Sequence, residues 1–303
     1  MTGGRERGAR RVGPPRPRVV CVGSLNHDIT VWVPRRPGPD ETIHGDRVAE
    51  FRGGKGANQI VAASRLGAEA SMVGCVGNDA RGGFLLEGLD LDGVDHRHVF
   101  RVDEPTGVAL ITIDPEDVSI IVVAGANAAL SAEMVEESGE TITAADVLLL
   151  QGEVGAAAAV AAARIAREAG TRVVFNPAPF NEVAPAVLPL ADVVIVNRGE
   201  ARMLAEVAPK VEVETLVTTL GAGGSEVRFR GEVTLVEGFE AVVVDPTGAG
   251  DCFAAALAVA LAEGADPVAA ARFANAAGSR AVEVAGAQPS MPTRAQVEDR
   301  LRS

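Results

Sequence analysis

The sequence predicts an α/β fold: a central, mostly parallel sheet with helices on both faces, plus a small second β-sheet. Three observations predict it. Short Val/Leu/Ile runs recur along the chain, each too brief for a helix and apolar enough for a strand buried on both faces. Segments with helical spacing and glycine stops lie between them. Two stretches, 29–52 and 98–123, break the alternation and read as strands and turns without helices.

The opening stretch "MTGGRERGARRVGPPRPR" is basic, rich in Gly and Pro, and lacks the apolar segment of a secretory signal. Residues 1–17 therefore read as a disordered basic tail outside the fold. The strand candidates are RVVCVGS (18–24), SMVGCVG (71–77), DVLLLQG (146–152), RVVFNPA (172–178), DVVIVN (192–197) and TLVTTLG (215–221). The helix candidates are GANQIVAASRLGA (56–68), RGGFLLEGLDLDG (81–93) and GAAAAVAAARIAREAG (155–170). Strands and helices in alternation make βαβ units, whose strands lie parallel. Residues 18–28, 53–97 and 124–303 are assigned to this core. The helix-free stretches 29–52 and 98–123 are expected to pair into a lid over the active face, with "ITIDPEDVSIIVV" as a hairpin. Edge strands of the main sheet are the other reading of them.

The 303 residues are 47% hydrophobic, enough for a sizeable core, but only 3% aromatic with no Tyr, so alanine carries much of the packing. A net charge of -13 argues against a general nucleic-acid binder, and any anionic substrate must be held by local devices. Cys21, Cys75 and Cys252 are scattered, with no CxxC spacing, which points to reduced thiols in the cytoplasm. No apolar run approaches the roughly 20 residues of a membrane span.

The chemistry concentrates in "VDPTGAGDCFAAALAVALAEG" (244–264). Glycines ahead of a helix let the backbone approach a ligand, and the helix N-terminus offers unpaired N–H groups with partial positive charge. TGAG (247–250) with the helix after it is thus an anion pocket suited to phosphate. A carboxylate there, Asp251, repels resting phosphate but suits a base that takes a proton from an attacking hydroxyl. Read alone, Asp251 is equally an N-cap. A second Gly-rich turn, GGKGANQ (53–59), opens another helix. It is not a Walker loop, because Ala49 and Gly56 stand where Gly and Ser/Thr are needed. No G-x-G-x-x-G fingerprint opens a helix after the first strand, which counts against a nicotinamide enzyme. GSLNHD (23–28) and QGE (151–153) end strands with Asn26, Asp28 and Glu153, groups able to bind adjacent hydroxyls of a sugar, or to act as caps and surface acids.

These motifs, in this order, resemble the PfkB-type (ribokinase-like) carbohydrate kinases from about Val19 to the C-terminus. "FRGGKGANQIVAASRLGAEASMVGCVGND" is similar to the family's N-terminal signature and "DPTGAGDCFAAAL" to its C-terminal one. TGVALI (106–111), AGANAALS (124–131), NPAP (176–179) and GAQPSMP (286–292) point to the ribokinase type within it. The resemblance implies ATP-dependent phosphorylation of D-ribose at O5. It implies Asp251 as base, the amides of Gly248, Ala249 and Gly250 as anion hole, and Asn26, Asp28, Gly54, Lys55, Gly56, Ala57, Asn58 and Glu153 on the sugar. It implies Asn197 and Glu200 near Mg²⁺ and phosphate, Thr219, Leu220, Gly221, Ala222, Gly223 and Gly224 along the nucleotide, and Asn275 near the adenine. A monovalent cation, usually K⁺, is expected beside the anion hole, at Asp245, Thr247, Ala281, Val284, Gly286 and Ser290. A homodimer through the lid is also implied, with no nucleic acid and no membrane as partner. Alternatives are a kinase for fructose, deoxyribose, 2-keto-3-deoxygluconate or a nucleoside, and a regulator that binds sugar or nucleotide without catalysis. Two departures stand out: residues 201–214 leave room for only one modest helix, and Arg202 replaces a second acid after NRGE.

Overall fold

The computed structural model describes residues 16–116, 118–209 and 212–303. Most of the expected tail (1–17) lies outside the described residues. Arg16 and Pro17 belong to the fold: the Arg16 guanidinium donates to the carbonyls of Gly67 and Ala68, and Pro17 O accepts from Glu69 N. The core boundary therefore moves two residues toward the N-terminus.

The described strands are β1 (Arg18–Val22), β2 (Asn26–Trp32), β3 (Arg47–Gly53), β4 (Glu69–Gly77), β5 (Asp95–Val102), β6 (Gly107–Ile113) and β7 (Val118–Val123). They continue as β8 (Val147–Gln151), β9 (Arg172–Asn176), β10 (Val193–Asn197), β11 (Thr215–Thr219), β12 (Ser225–Phe229) and β13 (Glu232–Val236). Among the described residues they form a nine-stranded sheet, β13-β12-β11-β10-β9-β8-β1-β4-β5, and a four-stranded sheet, β3-β2-β6-β7. The large sheet is parallel from β5 to β11, and β12 and β13 add an antiparallel edge. The expected six core strands are β1, β4, β8, β9, β10 and β11.

Both faces of the large sheet are buried, and the period of two divides its side chains between two cores. Val19 and Cys21 of β1 and Leu149 of β8 pack with the helices Lys55–Arg65 and Ala249–Ala262. Val20 and Val22 of β1 and Leu148 and Leu150 of β8 pack against the helix Ala156–Ala169. That helix stops at Gly170, left-handed at φ 80. The chain winds outward from β1 in both directions, to β4 on one side and β8 on the other. This makes a switch point at the carboxyl ends of β1 and β8, where open α/β sheets bind ligands.

The small sheet corrects the sequence boundaries of the lid. Residues 98–102 belong to β5, in register with Val73–Gly77 of β4, so the second lid stretch begins only at Gly107. The alternating pattern of HVFRV marks a strand but not the sheet it joins. At the other boundary Asn26–Asp28, assigned to the core, already form the start of β2. β2 pairs parallel with β6 and antiparallel with β3, and β6–β7 is the expected hairpin. The hairpin β12–β13 was not anticipated. It turns on Arg230 and Gly231, both at positive φ (50 and 85), which matches the twist of its strands. The short 201–214 segment holds one helix, Arg198–Val207, with 210–211 outside the described residues. Among the described residues no helix is long and apolar enough to cross a membrane.

Candidate active site

The end of β1, the start of β2, the helix Lys55–Arg65 and the helix Ala249–Ala262 meet at the switch point. Glycine makes this approach possible. Gly54 sits at φ 88, and a Cβ on it would come within 2.7 Å of Asn26 N; one on Gly56 would come equally close to Ser24 N. The second helix starts at Gly248, φ 80, which acts as N-cap, so Asp251 is the third residue of the helix rather than its cap. Its carboxylate faces the other helix instead. Oδ2 accepts from Asn58 Nδ2 at 3.0 Å and Oδ1 from Gln59 Nε2 at 3.1 Å. The N-cap reading of Asp251 is thereby replaced.

Around this carboxylate the structure gathers Asp28, Asn58 and Gln59, all buried, with Lys55 beside them, while the buried Asn26 turns its side-chain oxygen to Asn127. Glu153 Oε2 accepts from Ser24 Oγ and from the Lys55 amide at 3.1 Å, which ties the end of β8 to β1. Asp28 Oδ1 and Asn58 Oδ1 are buried acceptors without a partner. The amides of Gly56 and Ala57 turn to Ser24 instead of the cleft. Four acids share the neighbourhood. Burial, then Glu153 and Asp251, pushes Asp28 up to about 7 against the pull of Lys55. The Asp251 carboxylate raises Lys55 above the usual lysine value in spite of desolvation, and Glu153, Glu200 and Asp28 add to it.

Glu200 and Asn197 form a reciprocal capping box at the helix Arg198–Val207: Asn197 Oδ1 accepts from Glu200 N and Glu200 Oε2 from Asn197 N, both at 2.9 Å. Burial raises the Glu200 carboxyl, opposed by the Asn197 amide and Lys55. Among the described residues no three His, Cys, Asp or Glu side chains converge as a metal cluster. A cleft of about 690 Å³ runs from Gly250 past Thr219, Gly221, Ala222 and Gly224 to Asn275; Leu220 and Gly223 do not line it. Asn275 Nδ2 donates to the carbonyls of Val236 and Glu237, so it braces the cleft wall at the end of β13.

The amide of Ala249 donates to Pro246 O at 3.2 Å, which leaves Gly248 and Gly250 as the less committed amides of the proposed hole. Asp245 clamps the loop behind it: Oδ1 accepts from Thr247 N at 2.9 Å and Oδ2 from Gly286 N at 2.8 Å. Burial pushes the Asp245 carboxyl up, but hydrogen bonds from the Thr247 side chain and then from the Gly286 and Thr247 amides outweigh burial and hold it below its usual value. Ala281 is buried, Val284 is exposed, and Ser290 Oγ is spent on Ala287 O at 2.7 Å.

Two residues of the site, Gln59 and Asn127, carried no signal of their own in the sequence. Gln59 touches Asp251 directly. Asn127 holds the entry to β2: its Nδ2 donates to Asn26 Oδ1 at 2.8 Å, and its Oδ1 accepts from Leu25 N at 2.9 Å. Both lie in stretches similar to family motifs, GGKGANQ and AGANAALS, and that was the only available pointer.

Fold and site together define a small-molecule kinase of the α/β class. The sequence model of the pfkB family carbohydrate kinases matches residues 16–294. The chain belongs to that family. A ribokinase of Haemophilus influenzae is 36% identical over 295 residues, covering 92% of this chain and 96% of its own length. One of Bacillus subtilis is 37% identical over 294 residues, covering 94% and 99%. The solved structure of Arabidopsis thaliana ribokinase complexed with ribose and ATP has a TM-score of 0.88 and 34% identity, covering 95% of this chain and 100% of that one.

Proposed function

We propose that the chain transfers the terminal phosphoryl group of ATP to O5 of D-ribose, giving ribose 5-phosphate and ADP. The observation that carries this reading is the buried Asp251 carboxylate at a helix N-terminus, beside two buried acceptors, Asp28 Oδ1 and Asn58 Oδ1, that lack donors. A polyhydroxyl ligand supplies such donors, and an analogue without them leaves both atoms unpaired. The complex of the Arabidopsis relative with ribose and ATP supports the same choice of ligands.

Asp251 takes the proton of the terminal hydroxyl as its oxygen attacks the γ-phosphorus. The bond from that phosphorus to the bridging oxygen breaks, and ADP leaves. Amides at Gly248 and Gly250 face the charge that develops on the moving group. Asn26, Asp28, Lys55 and Glu153 hold the sugar, and the Thr219–Asn275 cleft takes the nucleotide. Asn197 and Glu200 would hold Mg²⁺ together with the phosphates, although their capping box leaves only Glu200 Oε1 uncommitted among their carboxylate and amide oxygens. When bound, Mg²⁺ offsets phosphate charge. A monovalent cation would lie against the carbonyls of the loops that Asp245 clamps, with Thr247, Ala281, Val284, Gly286 and Ser290 around it. The reading includes a homodimer through the small sheet and a cytoplasmic setting, in keeping with three free, buried cysteines.

The test is ADP release with ATP, Mg²⁺ and K⁺ against ribose, deoxyribose, fructose, 2-keto-3-deoxygluconate and adenosine. Ribose is expected to turn over fastest, more slowly without K⁺. Asp251→Asn is expected to lower kcat by about 10²–10⁴-fold, the range for a lost general base. Turnover that survives this substitution would refute the base assignment.

A further inference from the structure

We propose that Gln59 is a positioning residue for phosphoryl transfer: it meets no substrate but fixes the direction in which Asp251 presents its carboxylate. The proposal rests on Asp251 being the base. Gln59 is fully buried, 0% exposed, behind the carboxylate. A side-chain amide has a donor end and an acceptor end, so its orientation is a choice between two. At Gln59 the contacts all make the same choice. Its Oε1 accepts from Gln151 Nε2 at 2.7 Å. Its Nε2 donates to Asp251 Oδ1 at 3.1 Å and to Asn176 Oδ1 at 3.4 Å.

The neighbours are themselves oriented. The Asn176 amide donates to Ile195 O at 2.9 Å, which turns its oxygen to Gln59. Gln151 Nε2 also donates to Cys21 Sγ at 3.4 Å, and the Cys21 thiol reaches Gly56 O at 3.4 Å. Gly23 leaves room for Gln151, because a Cβ there would overlap its Oε1. The row Gln151–Gln59–Asp251 thus runs beneath the site with its donors directed at the carboxylate, and Cys21 Sγ accepts from its far end. Reversing Gln59 would set two NH₂ groups face to face at Gln151 and two oxygens face to face at Asp251. Asn58 holds the other carboxylate oxygen, so the plane of the group is set from two sides and the remaining lone pairs are offered to the hydroxyl.

Gln59→Met keeps the volume and removes the donor. It is expected to lower kcat on the order of 10²-fold, the scale of a misdirected catalytic group. KM for the sugar should stay within about twofold, because Gln59 makes no uniform binding contact. In an Asp251→Asn background the same substitution should add no further loss, since the carboxylate it directs is gone. Gln151→Met removes only the anchor of Gln59 and should give a smaller kcat loss with the same dependence on Asp251. It carries the test if thermal melting shows that Gln59→Met does not fold. Unchanged kcat, a loss confined to KM, or an equal loss in both backgrounds overturns the proposal while leaving Asp251 as base. Full turnover by Asp251→Asn alone overturns the base assignment and this proposal with it.

Discussion

Asp28, a sugar ligand in the proposed function, is held in the folded chain at the expense of stability. Burial and two neighbouring carboxylates hold its proton to about pH 7 in the folded chain, whereas an unfolded Asp releases it near pH ~4. Between these values the folded chain binds more protons, so this contribution to stability is complete below pH ~4 and is lost as pH rises through about 7. Asp28→Asn removes the loss. In thermal melts without sugar the variant is expected to exceed the parent at pH ~8 by a few kcal/mol, on the order of the shift, and to match it near pH ~4. The same variant should bind ribose more weakly. A variant that melts below the parent at pH ~8 contradicts this account.

At the scale of elements, the proposed anion pocket depends on a backbone that only glycine adopts easily. Gly248 lies at φ 80, and a Cβ there would stand 2.9 Å from Ala287 Cα. Gly248→Ala is expected to cost about 1–3 kcal/mol of stability in urea unfolding, the range for a strained backbone site. A loss of activity larger than the loss of folded protein would place the strain in the pocket itself. The elements differed in how far their sequence announced them. β1, β8 and β10 are short, almost wholly apolar runs, and Asp251 follows a glycine loop, so both could be read directly. β12–β13 could not, because its apolar residues alternate with charged ones instead of running together and an Arg, not a usual turn residue, occupies its turn. β5 could be read as a strand but not assigned to a sheet, since a period of two names a face and no neighbour. The contacts of Gln59 and Asn127 are long-range, and a lone amide leaves no local pattern.

At the scale of the whole molecule, the small sheet ends on an uncovered apolar edge. β7 is the edge strand of the small sheet, and Ile121 (63% exposed) and Val123 (56%) stand out from it, with Ile120 and Val122 on its opposite face. Apolar edges of this kind invite a second strand. A dimer is expected, with a light-scattering mass of twice the 31.1 kDa of one chain. Ile121→Lys combined with Val123→Lys should shift that mass to a single chain; a parent that already runs as a single chain counts against the interface.

The helix Ala249–Ala262 lies at the centre of the molecule with Ala254, Ala255, Ala256, Ala258 and Ala260 all buried. Side chains buried this completely leave little room beyond a methyl group, and that closeness restricts what the gene can become. A single base change in an alanine codon yields Val, Thr, Ser, Pro, Gly, Asp or Glu. Each of these is too large, too polar, helix-breaking or too flexible for that space. The segment that carries Asp251 is therefore one where nearly every one-step amino-acid replacement of an alanine is damaging, and its alanines should persist through long divergence without touching any ligand.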